Sequence, residues 1–451
     1  MSNNLIRKPK VSVGQENPYN RLGFVQNPFP VNPSVVPYSD DIRVNGSIFL
    51  ESIRQEEIKA FHEHIVNSPN QIGLMMDYAA YKGRGIGKTA FLNYMKKSIN
   101  KDLGDEISDG KSVIYAVYVA PSADNRNRTL SQVAHSIFTS MHKEGLFLTV
   151  FCRLRALSGL LDDVIDETIT ENNYEETIAN DAWLCDKGID VSAVNSFVSK
   201  ELVKAGFVDE DVSLFSDTYT RFTEALSINP SEFFWKREGL FFLFEKVEKL
   251  LKAAMFTNCI ILLDEAEKMI QYQNFNERRA FCENLRTYFI DGNNSNAIDG
   301  FFKILLTIHP NSQELLMPHW AAAGLDRFCS LGGNTSSENT IFFKPMSNEP
   351  NMIRALAEIY LKASRINKTD SSISPFTQEA IDYTMEKSAF IPGRFLKYLY
   401  ILIEKSIKNN WTEIDKKQVE ITLDEGTNYL ALEKPVENTS IEELPPTKVQ
   451  L

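Results

Sequence analysis

An α/β fold, with a parallel sheet interrupted by a helical insertion and followed by a helical lid, is predicted by three stretches of the 451-residue chain. The first is IGLMMDYAAYKGRGIGKTAFLNYM (72 to 95), where an apolar run enters a glycine-studded turn that opens into a helical pattern. The second is NCIILLDEAE (258 to 267), an apolar run ending in two acids, and the third is FFKILLTI (301 to 308), another such run ending in polar residues. Short apolar runs of this length read as buried strands, and polar groups gathered at their carboxyl ends are where an open parallel sheet carries its site.

The turn after the first run has the chemistry of a phosphate loop. Gly83, Gly85 and Gly87 would let backbone N–H groups converge on phosphate oxygens, with Ile86 between the last two. Lys88 would reach the β and γ phosphates, and Thr89 would place its hydroxyl on Mg²⁺; Thr89 and Ala90 begin a helix whose positive end adds to the anion site. The pattern G-x-x-x-x-G-K-[ST] is met except at its first glycine, where Lys82 stands and Gly83 follows one place late. The alternative is a glycine-rich surface turn with a solvated lysine; the flanking strand and helix weigh against it.

Composition sets outer bounds. The chain is long enough for two or three domains. No run approaches the ~18 apolar residues of a membrane span, and MSNNLIRKPK lacks the apolar region of a secretory signal, so a cytoplasmic protein without membrane contact is expected. Cys152, Cys185, Cys259, Cys282 and Cys329 form no C-x-x-C pair, so neither zinc nor disulfides are expected. The net charge of −12 argues against coating nucleic acid through bulk charge; a DNA contact would have to be concentrated on one face.

Residues 1 to 50, rich in Asn, Pro and Val, read as an extended arm. It would pack across a nucleotide base or a neighbouring subunit, or be a loop pinned by Phe24 and Phe29. A helix is expected over 51 to 66, and a buried strand at SVIYAVYVA (112 to 120). From about 145 to 230 the pattern becomes shorter helices, with carboxylates and neither Lys nor Arg between Asp162 and Asp181. That run is either a solvated face or a docking surface for a basic partner protein. Ser231 can cap a long aromatic-rich helix over 231 to 256.

The second half of the site follows. Asp264 would bind Mg²⁺ through water, and Glu265 would polarise the water that attacks the γ phosphate. At the tip of the 301 to 308 strand, Thr307 and His309, ranked above Asn311, can orient that water. Arg327 is placed where one subunit could present a guanidinium to the ATP of its neighbour. Beyond 346 the chain is helical, and Arg394, in the element Ile391, Pro392, Gly393, Arg394, would grip the γ phosphate from a lid. Surface ion pairs or solvent are the alternatives for both arginines. The expected divisions are an arm (1–50), a nucleotide-binding core with its insertion (51–345), a lid (346–425) and a loosely ordered tail (426–451).

With phosphate loop, DE strand, polar strand tip, Arg327 and a helical lid carrying PGR in order, the chain resembles the P-loop NTPases of the AAA+ class, in the origin-recognition initiator clade. RRAFCENLRTYFIDG (278 to 292) followed by a strand and an HP dipeptide is similar to the prokaryotic branch found in phage-exclusion and related defence systems. The likeness covers roughly residues 50 to 405. It implies an ATP-hydrolysing homo-oligomer that organises DNA and partner proteins. Fewer than fifty residues follow the lid, too few for the winged-helix DNA-binding domain of the initiators. The competing expectations are a non-catalytic scaffold whose shape ATP sets, and a transposition or signalling ATPase.

Overall fold

A computed structural model of the chain describes residues 17–77, 85–108, 110–121, 128–164, 177–226, 238–292, 294–331, 339–344, 350–368 and 372–425. The chain divides into two compact units, residues 45–345 and residues 1–44 with 346–451.

The larger unit is built on β1 (Ile72–Asp77), β2 (Ile114–Val119), β3 (Asn258–Leu263), β4 (Phe302–Ile308) and β5 (Thr340–Phe343). They form one sheet in the order β2-β3-β4-β1-β5, and every pairing is parallel. The strands read as unbroken apolar runs because helices cover both faces. Alternate residues divide between two cores. Leu74, Val117, Ile261 and Ile304 face one; Met75, Ala116, Ile260 and Leu305 face the other. The second face is covered by helices Gln55–Phe61 and Lys88–Lys101, through Phe61, Phe91 and Met95. Helices Leu130–Lys143, Leu146–Ala156, Phe275–Phe289 and Pro310–Ala322 cover the first. Each large apolar side chain so buried contributes about 1.5–3 kcal/mol. Gly73 in β1 is a packing requirement, since a Cβ there would run into Ile65 Cδ1.

The insertion is packed on the sheet's first face: Leu202, Phe215 and Phe222, from helices Val191–Lys204, Asp209–Phe215 and Tyr219–Leu226, belong to the same core as the strands. Buried Arg155 ties it together, donating to the carbonyls of Ile178 (3.1 Å) and Asp217 (3.0 Å) and pairing with Asp181 (2.6 Å). Most of the acidic run, 165–176, lies outside the described residues, as does Ser231. The expected helix over 231 to 256 is described from Glu238 onward and contains a π turn, Phe242–Val247, that brings Leu243, Phe244 and Val247 all into the core. No helix among the described residues is long and apolar enough to cross a membrane.

The expected single helix over 51 to 66 is three pieces: a 3₁₀ turn (Glu51–Ile53), an α-helix (Gln55–Phe61) and a π turn (His62–Val66). Its last carbonyls have a partner that propensity does not foresee. Lys303, 7% exposed in β4, donates to the carbonyl oxygens of Ile65 (3.2 Å), Val66 (2.8 Å) and Ser68 (2.6 Å). Burial pushes this amine from its ordinary 10.5 down to about 8. The charged form is therefore disfavoured on folding. That penalty is fully present below about pH 8 and is relieved as pH rises toward 10.5, where the unfolded chain still holds the proton. Urea unfolding should show the wild-type chain gaining about 2 kcal/mol more than Lys303→Met between about pH 7.5 and about pH 9.5.

In the smaller unit, helices Pro350–Ser364, Gln378–Lys387, Pro392–Asn409 and Lys416–Glu425 receive the N-terminal segment. Phe24 and Phe29 are fully buried there, the Arg365 guanidinium lies 4.5 Å from the Phe24 ring centroid, and the Tyr19 hydroxyl donates to Glu404 (2.6 Å). The described part of the Asn/Pro-rich segment up to residue 44 thus folds with this unit, pinned by the two phenylalanines.

Candidate functional site

From the carboxyl end of β1 the chain crosses to β2 at one edge of the sheet, whereas from β4, beside it, the chain crosses to β5 at the other. The helices that follow them, Lys88–Lys101 after β1 and Pro310–Ala322 after β4, lie on opposite faces of the sheet, so the two loops part and leave a crevice. The glycine-rich turn enters this place. Gly85 and Gly87 have φ of 96° and 101°, left-handed values that favour glycine; nothing crowds a Cβ at Gly87, so backbone conformation and not packing requires it. Gly87 is the N-cap of helix Lys88–Lys101, so no N-cap side chain competes with an anion for the first N–H groups. Ile86 is buried and pegs the turn to the core, while Thr89 and Ala90 are half-buried. Lys82 and Gly83 lie outside the described residues.

Distant parts of the chain meet at Asp264. In register, Leu263 of β3 lies between Val119 of β2 and Leu306 of β4, so the next residue emerges at the carboxyl edge beside Thr307. Asp264 is 1% exposed. Its Oδ2 accepts from the hydroxyls of Thr89 (2.6 Å) and Tyr118 (2.9 Å). Its Oδ1 accepts from the Thr307 hydroxyl (2.9 Å) and the Glu265 N–H (2.9 Å). One carboxylate thereby ties the loop helix to three strands, and its four acceptor positions are all used.

Glu265 has left-handed dihedrals (φ 50°, ψ 38°), uncommon for a residue with a side chain. The strain is held by a second bond from its N–H to Thr307 Oγ1 (2.7 Å), while its carboxylate pairs with Lys268 one turn on. Strain maintained by surrounding bonds is a pointer to a working residue. Burial pushes the carboxyl of nearby Glu267 up and the Lys88 ammonium holds it down, with Asp264 and Glu265 adding repulsion. Lys88 therefore lies within electrostatic reach of the acidic segment from which it is so far removed in sequence.

Four candidates remain: His309, Asn311, Arg327 and Arg394. His309, half-buried, accepts at its carbonyl from the N–H groups of Ser312 (2.9 Å) and Gln313 (3.0 Å), opening helix Pro310–Ala322. The side chain of Asn311 lies outside the described residues. Arg327 is exposed at the end of a 3₁₀ turn, Leu325–Arg327, and makes no ion pair with a described residue. Arg394 stands in the first turn of helix Pro392–Asn409, in the smaller unit.

Sequence reading missed Arg54, Tyr118, Glu267 and Lys268. Arg54, buried, donates to the Ile86 carbonyl in the glycine-rich turn (2.7 Å) and to the Lys344 carbonyl (2.7 Å), pairs with Glu57 (3.1 Å) and sits 4.1 Å from the Phe343 ring centroid. It braces the turn from behind. The one signal for Tyr118 was its phenol in a buried strand, where a hydroxyl has to find a partner, and Tyr115 of the same strand carries that signal too.

The donor set suits Mg²⁺, a hard cation taken by oxygens. Thr89 Oγ1 keeps lone pairs while donating its hydrogen to Asp264, so Thr89 would be the direct ligand and Asp264 the residue behind it. Lys88 and the N–H groups at the helix start are donors of the kind phosphate oxygens take. Searched against protein-family models, the chain matches none, and no curated protein matches it significantly.

Proposed function

We propose that the chain is an ATP-binding and ATP-hydrolysing switch of the AAA+ type. The observation that carries the reading is the 2.6 Å bond between Thr89 of the glycine-rich turn and Asp264 at the end of a buried strand, at the carboxyl edge of an all-parallel sheet. In this reading Lys88 and the N–H groups of Gly85 to Ala90 bind the β and γ phosphates, and bound Mg²⁺ would screen their charge. Glu265 accepts the proton of the attacking water, and Thr307 holds Glu265 and Asp264 in place for it. Arg327, exposed, serves the ATP of a neighbouring copy, and Arg394 serves as the lid arginine. The protein then acts as a homo-oligomer in which nucleotide sets assembly, with a basic partner protein at the acidic insertion and an anti-phage or DNA-associated role as the resemblance implies.

One observation favours the scaffold alternative: the Glu265 carboxylate is engaged by Lys268, and ATP could be held there without turnover. Lys88→Ala separates nucleotide binding from everything else. Its ATP affinity, read by calorimetry, should fall at least about a hundredfold, with ATP-dependent assembly lost in light scattering. Equal affinity in the variant, or no binding by the wild-type protein at millimolar ATP, sinks the reading. Assembly without phosphate release would select the scaffold.

A further inference from the structure

Tyr118 is 5% exposed, and its hydroxyl spends its hydrogen on Asp264 Oδ2, the oxygen that also receives Thr89. Asp264 has no acceptor position left: Oδ1 serves Thr307 and the Glu265 N–H. A carboxylate behind a direct cation ligand usually offers one lone pair to a water carried by the cation. Here a phenol from the neighbouring strand holds that position.

Resting on the nucleotide-site reading above, we propose that Tyr118 sets the cation affinity of this site, keeping it weak by occupying an acceptor position of Asp264 and drawing off part of its negative charge.

Two opposite effects of such a residue have to be weighed. A hydrogen bond to a carboxylate near a metal usually orients it, and its removal weakens metal binding. Orientation, however, does not depend on Tyr118. Thr307 and the Glu265 N–H fix Oδ1, Thr89 fixes Oδ2, and Asp264 is held at its backbone by its N–H to the Val119 carbonyl (2.8 Å). With three side-chain-oxygen bonds remaining, loss of the fourth leaves the carboxylate in place, more basic, and with one lone pair free. Competition outweighs orientation.

The test is Tyr118→Phe in the full chain, with thermal unfolding followed against Mg²⁺ concentration at saturating ATP. The Mg²⁺ midpoint should fall by about threefold to tenfold, and Mn²⁺ binding in the presence of ATP, read by electron paramagnetic resonance, should tighten by a similar factor. A midpoint that is unchanged or raised overturns the proposal. Tyr118→Met, which fills the strand without a hydroxyl, gives the same readout should the phenylalanine variant fold poorly. The two readings fail separately. If wild-type protein shows no ATP-dependent shift at any Mg²⁺ concentration, the nucleotide site itself is refuted. A wild-type shift with the same midpoint in both variants refutes only the role of Tyr118.

Discussion

Asp264→Leu should destabilise the larger unit by about 3–5 kcal/mol in urea unfolding, before any nucleotide is added. Leucine branches at the same atom as aspartate and is larger, so the loss does not come from a cavity, and crowding can only add to it. It comes from the donors left behind: the hydroxyls of Thr89, Tyr118 and Thr307 and the N–H of Glu265 all end on this one carboxylate. Each buried donor without an acceptor costs roughly 1–3 kcal/mol, reduced where a hydroxyl can turn to a neighbour. Asp264→Asn should be milder, since its remaining oxygen still accepts and the hydroxyls facing its amide can rotate to accept from it. A leucine variant as stable as wild type would mean that Asp264 does not join these elements.

Glu265→Gln should separate turnover from binding. Phosphate release is expected to fall by about 10²- to 10⁴-fold, the range for removing a positioned proton acceptor, while ATP affinity stays within about a factor of three. The fold should be nearly indifferent. The bonds that hold residue 265 go through its N–H, and the pairing with Lys268 is between two groups each more than a third exposed, worth little in water. Stopped-flow phosphate release beside calorimetry makes both measurements on one preparation. Undiminished turnover would remove Glu265 from the role of base and move attention to Glu267, on the same segment and within reach of Lys88.

These expectations rest on features that differ in how far sequence exposes them. IGLMMD, NCIILL and FKILLTI announce buried parallel strands because a strand covered on both faces has no polar alternation to show. GIGKT is legible because its glycines answer to local backbone geometry, seen in the φ values of Gly85 and Gly87. Helix interruptions were not legible. The π turns at His62–Val66 and Phe242–Val247 follow from what the cores and Lys303 ask of those residues, and propensity does not register that.

The chain's own order of residues was enough to specify the α/β class, a glycine-rich turn opening a helix and an acid pair at a strand end, because each is written in consecutive residues obeying a local rule. Which of the polar residues would meet was a matter of strand order and register. Those bring Tyr118, Asp264 and Thr307 side by side from β2, the end of β3 and β4, and lay the hydroxyl of Thr89 on the same carboxylate. Hydrogen bonds between groups so far apart along the chain exist only once the sheet has closed, so no local pattern could have announced that Tyr118 belongs to the site and that Arg54 stands behind the loop.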